Sequence, residues 1–154
     1  MTENAPTIQN RKALHSYYVE DRVEVGIVLK GSEIKSIRAG NISLNEAWVD
    51  ISDKNELWLV AAHIEEFRQA NKFNHLPAER RKLLAHAHEI QKMKKAMELK
   101  GYTLIPLRLL FKNRYAKIEV GICRGKDNRD RRNDLIERES KREVARIVKH
   151  REQD

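Results

Sequence analysis

Thr-Leu-Ile-Pro-Leu-Arg-Leu-Leu-Phe-Lys-Asn-Arg-Tyr-Ala-Lys-Ile-Glu-Val-Gly-Ile-Cys, residues 103–123, decides the fold class. Its first part, 103–111, is almost continuously apolar, as in a strand buried on both faces. Its second part, 115–123, alternates. Ala116, Ile118, Val120 and Ile122 share one face, and Lys117, Glu119, Gly121 and Cys123 share the other. A period of two is the signature of a strand. Cys123 has no sign of activation and is expected as a small side chain near the surface of a β-structure.

Working outward, more short strands are expected. Tyr17-Tyr18-Val19 and the β-branched run Val25–Leu29 come first, and Gly31 punctuates them. Residues 33–38 read as a further strand, with Ile34 and Ile37 among charged neighbours. Residues 47–51 and 56–61 form a hairpin over the polar turn Ser52-Asp53-Lys54-Asn55. Residues 41–46 suit a short helix or turn, and 62–76 read mostly as loop.

One long helix is predicted over 78–98. Pro77 fits its first position, Leu83, Ala87, Ile90 and Met97 form its apolar stripe, and Gly101 stops it. Leu84 lies about 100° round from Leu83 on that helix. It either widens the core contact or is offered to a partner.

The character changes at Arg124. Residues 124–154 hold eleven Lys/Arg and eight Asp/Glu and no Phe, Trp or Tyr. Such a segment buries too little to order itself. Val144, Ile147 and Val148, at i, i+3 and i+4, suit a helix that forms on a partner. The expected organisation is a flexible polar arm at 1–9, a folded body at 10–125 and a disordered basic tail at 126–154. Six or seven antiparallel strands with one long helix and a short one suit a small closed OB-like β-barrel.

The chain of 154 residues can bury a real core without disulfides or metal. It carries 31 Lys+Arg against 23 Asp+Glu, a net charge of +8. Such an excess attracts polyanions, either nucleic acid or an anionic membrane surface. A single cysteine suits a reducing cytosol. Met1–Asn10 has no basic or apolar leader pattern, and no apolar run approaches the roughly 20 residues that span a bilayer.

Catalytic patterns are missing: there is no HExxH, CxxC, GxSxG or phosphate-binding glycine loop. His86 and His88, two apart on the predicted helix, would point in different directions. The expectation is a binding protein without catalysis or cofactor. Basic clusters recur instead: Arg11-Lys12, Lys35 with Arg38, Arg80-Arg81-Lys82, Lys92 with Lys94-Lys95, and Lys112, Arg114 and Lys117. Clusters of this kind neutralise phosphates, although a solvated charged face looks the same.

Five segments carry a resemblance. Residues 24–38, Glu-Val-Gly-Ile-Val-Leu-Lys-Gly-Ser-Glu-Ile-Lys-Ser-Ile-Arg, resemble the signature of the SsrA-binding protein (small protein B) family. So do Asn10–Ala13 with His15 and Tyr17, Pro77–Leu84 followed by Glu89-Ile90, Lys117, and Gly125-Lys126 with Asp130-Arg131-Arg132. The likeness covers about residues 10–150. Glu79 and Asp127 depart from it, standing where that family has arginine and lysine. Arg129 replaces an aromatic residue or histidine, and Arg131 a lysine.

The resemblance implies an OB-like barrel that grips the tRNA-like domain of transfer-messenger RNA (SsrA RNA) near its elbow and D-arm. The chain would act as a cytoplasmic monomer, one per RNA, without a cofactor, catalysis or a membrane. It implies RNA contacts at Glu24, Leu84 and Lys117; the basic clusters add Lys35, Arg38, Arg11 and Lys12 as further candidates for RNA binding. It also implies a tail that meets the 70S ribosome: Asp130, Arg131 and Arg132 near the small-subunit decoding centre, and Ile147 and Val148 on a helix in the empty mRNA channel. Other readings stay open on the residues alone. They are a general RNA-binding or ribosomal protein, an RNA-acting enzyme and a peripheral membrane protein.

Overall fold

The computed structural model describes the backbone of residues 6–69, 74–126 and 128–153. Along the chain run β1 (Ile8–Gln9), α1 (Arg11–Ser16), β2 (Tyr17–Ile27), α2 (Gly31–Arg38), β3 (Ile42–Ser43), β4 (Trp48–Ile51) and β5 (Leu57–Val60). Then follow β6 (His63–Ile64), β7 (Arg81–Leu84), α3 (Ala87–Met97), β8 (Tyr102–Lys112), β9 (Tyr115–Gly125) and α4 (Asn128–Gln153). Seven strands form one antiparallel sheet in the order β1-β8-β9-β2-β7-β5-β4, and β3 pairs with β6 apart from it.

The two long strands of the opening stretch are present, and β2, β8 and β9 form the spine. The pieces at 17–19 and 25–29 join into one strand, because β9 pairs with β2 from Tyr17 to Gly26 through a bulge between Val19 and Asp21. The hairpin β4–β5 closes where its turn residues predict. The Ser52 carbonyl accepts from Asn55 N–H at 2.9 Å and its hydroxyl from Glu56 N–H at 3.1 Å. Asn55 takes φ 59°, a left-handed conformation that asparagine tolerates.

The expected closed barrel is not found among the described residues: the ladder ends at β1 on one side and at β4 on the other. β4 instead packs against β8. Asn10 stitches the region with side-chain bonds in place of a ladder. Its Nδ2 donates to Leu44 O at 3.0 Å and to Pro106 O at 2.9 Å, and its Oδ1 accepts from Ala13 N–H at 3.1 Å, capping α1. Pro106 has no N–H to offer a neighbour, and β8 bulges just after it.

Four helices replace the expected long one and short one. Residues 31–38 are helical, not extended. Ser32, Glu33, Ser36 and Ile37 are buried, a helical spacing that is mostly polar and so invisible to an apolar count. The Ser36 hydroxyl donates to Glu65 O at 2.6 Å, and Ser32 Oγ lies 2.8 Å from His75 Nδ1. Of the helix or turn expected over 41–46 the turn is present, at 45–46, with the short strand β3 before it.

The helix expected over 78–98 begins only at Ala87, with the His86 N–H capped by Glu89 at 3.0 Å. Residues 81–84 form β7, alternating buried and exposed. Arg81 hides that alternation, because it is a charged residue at a buried position. Its Nε donates to Glu33 at 2.5 Å and its remaining donors reach the carbonyls of Ala62, Leu76 and Pro77. Pro77 is therefore an anchor for Arg81, not a helix start. On α3, Met93 is the buried residue; Ala87, given to the apolar stripe in the sequence, is exposed.

Two cores hold the sheet. The main one gathers Val23, Val25, Ile27, Val49, Leu57, Leu59, Leu83, Leu104, Leu109, Ile118 and Val120 with Ile37 of α2 and Met93 of α3. On the opposite face α1 covers one half of the sheet, where Ala13, Ile105, Leu107 and Cys123 pack together. Cys123 is thus buried rather than near the surface, and burial pushes its thiol up to about 11. Gly121 permits this approach: a Cβ there would meet Leu107 Cδ1 at 2.8 Å and Cys123 Sγ at 2.9 Å.

The tail carries one helix, α4, over Asn128–Gln153. Its sequence is rich in good helix formers, and Lys141 and Glu137 pair at i, i+4. α1 touches it, and its described side chains are exposed.

Candidate nucleic-acid interface

α1 covers only half of the outer sheet face. On the other half the ladder brings three strands to one point. Gly26 of β2 is opposite Leu84 of β7 and also opposite Lys117 of β9. Directly opposed residues share a face, so Leu84 and Lys117 flank a position with no side chain. Glu24, two residues before Gly26, shares that face. The result is a cleft of about 440 Å³ that holds Glu24, Gly26, Leu84 and Lys117, with His86, Glu89 and Tyr115 at its rim.

Leu84 is 55 % exposed. Of the two readings the sequence left open, widening the core contact is the one that fails: Leu84 is off the core because it alternates outward on a strand. Among the described residues Lys117 has no ion-pair partner. Glu24 Oε2 accepts from Lys112 Nζ at 2.8 Å, and its Oε1 takes no hydrogen bond among the described residues. A carboxylate held this way can still accept from a base amine or a 2′-hydroxyl.

Beside the cleft Glu119 is pinned between two arginines, Arg22 at 2.7 Å and Arg108 at 2.9 Å. Burial alone would raise its carboxyl, but these hydrogen bonds outweigh it and hold the group below the ordinary carboxylate value.

The sequence missed two rings. Tyr115, 72 % exposed, and His86 both line the cleft. His86 is not on a helix face with His88; it precedes α3, and the two imidazoles stack with centroids 5.6 Å apart and planes 6° off parallel. Tyr115 opens β9, and its place at the alternating strand's start was the available signal.

The other basic residues do not converge on the cleft. Lys35 and Arg38 stand on the exposed side of α2, over the rings of Phe67 at 5.4 Å and Phe111 at 5.0 Å. Arg11 and Lys12 lie on α1, with Lys12 paired to Glu46 at 2.5 Å. Asp130 and Arg131 fall within α4, but their side chains and that of Val148 lie outside the described residues. Arg132 is exposed, and so is Ile147, which is in line with exposed Val144 and Ile136.

The model of the family described as SmpB protein matches residues 7–150. The chain belongs to the SmpB family. Among curated relatives, the SsrA-binding protein of Bacillus cereus (strain G9842) is 46 % identical over 144 residues, covering 94 % of this chain and 92 % of that one. The SsrA-binding protein of Bacillus mycoides (strain KBAB4) is equally similar, 46 % identical with the same coverage. A solved chain described as "tmRNA-SmpB: a journey to the center of the bacterial ribosome" superposes with a TM-score of 0.68 at 39 % identity, over 80 % of this chain and 87 % of that one. No described helix of this SmpB-family chain is long and apolar enough to cross a membrane.

Proposed function

We propose that this SmpB-family chain is a non-catalytic adaptor that binds the tRNA-like domain of transfer-messenger RNA and delivers it to stalled ribosomes in the cytoplasm. The observation that carries the reading is the meeting of Glu24, Leu84 and Lys117 in one cleft on the uncovered half of the sheet. Lys117 supplies charge for phosphate. Leu84 supplies an apolar surface for an unstacked base, with Tyr115 and His86 beside it. Glu24 supplies an acceptor for an amine or a 2′-hydroxyl, which is selective where a lysine is not. The curled sheet, with β4 packed on β8 and Asn10 across the region, is consistent with an OB-like body.

The body grips and α4 senses. Arg11, Lys12, Lys35 and Arg38 stand away from the cleft and add electrostatic attraction to the RNA. A lone helix with few buried contacts is marginal in water, so α4 gains its stability from a partner. Its Asp130-Arg131-Arg132 segment works near the decoding centre, and Ile147 and Val148 are its apolar residues for the empty mRNA channel. One monomer serves one RNA, and no cofactor takes part.

Deleting residues 129–154 tests this division. Affinity for the tRNA-like domain should stay within about twofold while peptide tagging on stalled ribosomes is lost; a deletion that destroys RNA affinity would overturn it.

A further inference from the structure

We propose that the RNA-binding face continues beyond the cleft, across β7 to β5, where Trp58 stacked with Arg80 and flanked by Lys82 makes a second contact with the same RNA. The inference rests on the proposed use of the cleft.

The ladder places these residues on the cleft's own face. Trp58 is opposite Lys82. Leu84 is two residues on from Lys82, and Leu84, Gly26 and Lys117 are opposite one another in turn. Leu57 and Leu59 point into the core, so Trp58 between them points outward, and it is only half-buried. β9 to β5 is three strand spacings, about 14 Å. Trp58 therefore meets a different nucleotide from the one at Lys117.

Arg80 completes the site. Its guanidinium lies 4.6 Å from the Trp58 ring centroid, a cation–π stack. Arg80 and Lys82 are both exposed, and among the described residues neither has a carboxylate partner. The neighbouring charges do not cancel them. Glu79 is held by Lys30 at 2.9 Å, which lowers its carboxyl, and Arg81 is buried on Glu33. A guanidinium held over an indole by cation–π attraction keeps donors free for phosphate oxygens and a planar face that a base can stack on. In this way Arg80 restores the positive charge that Glu79 removes from the Pro77–Leu84 segment.

The test uses the full-length chain and the tRNA-like domain, with affinity measured across a salt series. Arg80→Ala should weaken binding roughly five- to tenfold and lower the salt slope by about one. Arg80→Lys should keep the slope and recover only part of the affinity, because an ammonium cannot stack as a plane. Trp58→Phe should bind like the parent, and Trp58→Leu should lose affinity at unchanged slope. Should Trp58→Leu fail to fold, the Arg80 pair decides. Arg80→Ala within twofold of the parent at unchanged slope overturns the inference. If Lys117→Ala then still weakens binding, the cleft reading survives; if Lys117→Ala is also without effect, both fall.

Discussion

Leu84 and Lys117 face each other across Gly26, two strand spacings or about 9–10 Å apart, with nothing but backbone between them. β7, β2 and β9 come from distant parts of the chain, so this spacing is a property of the ladder and not of any local motif. Since sheet register admits no partial shifts, the floor and both walls of the cleft are fixed together.

Gly26 should therefore be a functional glycine more than a conformational one. A Cβ there would be 3.5 Å from Leu84 Cβ, an ordinary contact. Gly26→Ala should fold with a melting temperature near the parent's. Gly26→Leu should also fold but fill the cleft and weaken RNA binding at least tenfold. Thermal melts beside binding isotherms check this; a Gly26→Leu protein that binds normally would show that RNA does not enter the cleft.

Asn10 should matter to stability far beyond a surface amide. It is 1 % exposed, and its side chain makes three hydrogen bonds joining α1, the segment before β4, and β8. Asn10→Ala leaves two buried carbonyls without that donor and uncaps α1, a cost of about 2–4 kcal/mol. Urea denaturation measures it. A loss under about 0.5 kcal/mol would mean that the region holds without the stitch.

Acid should loosen the outer face first. The folded Glu119 carboxyl lies below its ordinary value of 4.5, held down by Arg22 and Arg108 against the effect of burial. A depressed carboxyl contributes stability that is present above the ordinary value and lost as pH falls through the folded one. Asp21, paired with Lys92, and Glu79, paired with Lys30, shift the same way but are more exposed and screened. The melting temperature should hold from pH 7 to about 5 and fall below about 4.5. Glu119→Gln should have a shallower acid limb; an unchanged limb would contradict the assignment.

The strands with clean alternation or continuous apolar character, β4, β5, β8 and β9, were legible because their buried residues are apolar. Two of the misread elements, α2 and β7, share one cause. α2 buries Ser32, Glu33 and Ser36, and β7 buries Arg81, so both hide their period from an apolar count. Those polar groups are buried because they satisfy one another across distant segments, a pairing that no local window contains. The open sheet was not legible either, since the bonds of Asn10 are tertiary. At the candidate site, the resemblance supplied Glu24, Leu84 and Lys117, and the basic clusters supplied Arg80 and Lys82, while the places of Tyr115 and Trp58 on the cleft's face emerged only from the structure.

The most direct test of the account is the affinity of the full-length chain for the tRNA-like domain of transfer-messenger RNA at physiological salt, with elongator tRNA as competitor, for the parent and Lys117→Ala. The account predicts a clear preference for the tRNA-like domain that Lys117→Ala abolishes. Equal binding of both RNAs, indifferent to Lys117, would contradict it and leave only general electrostatic attraction.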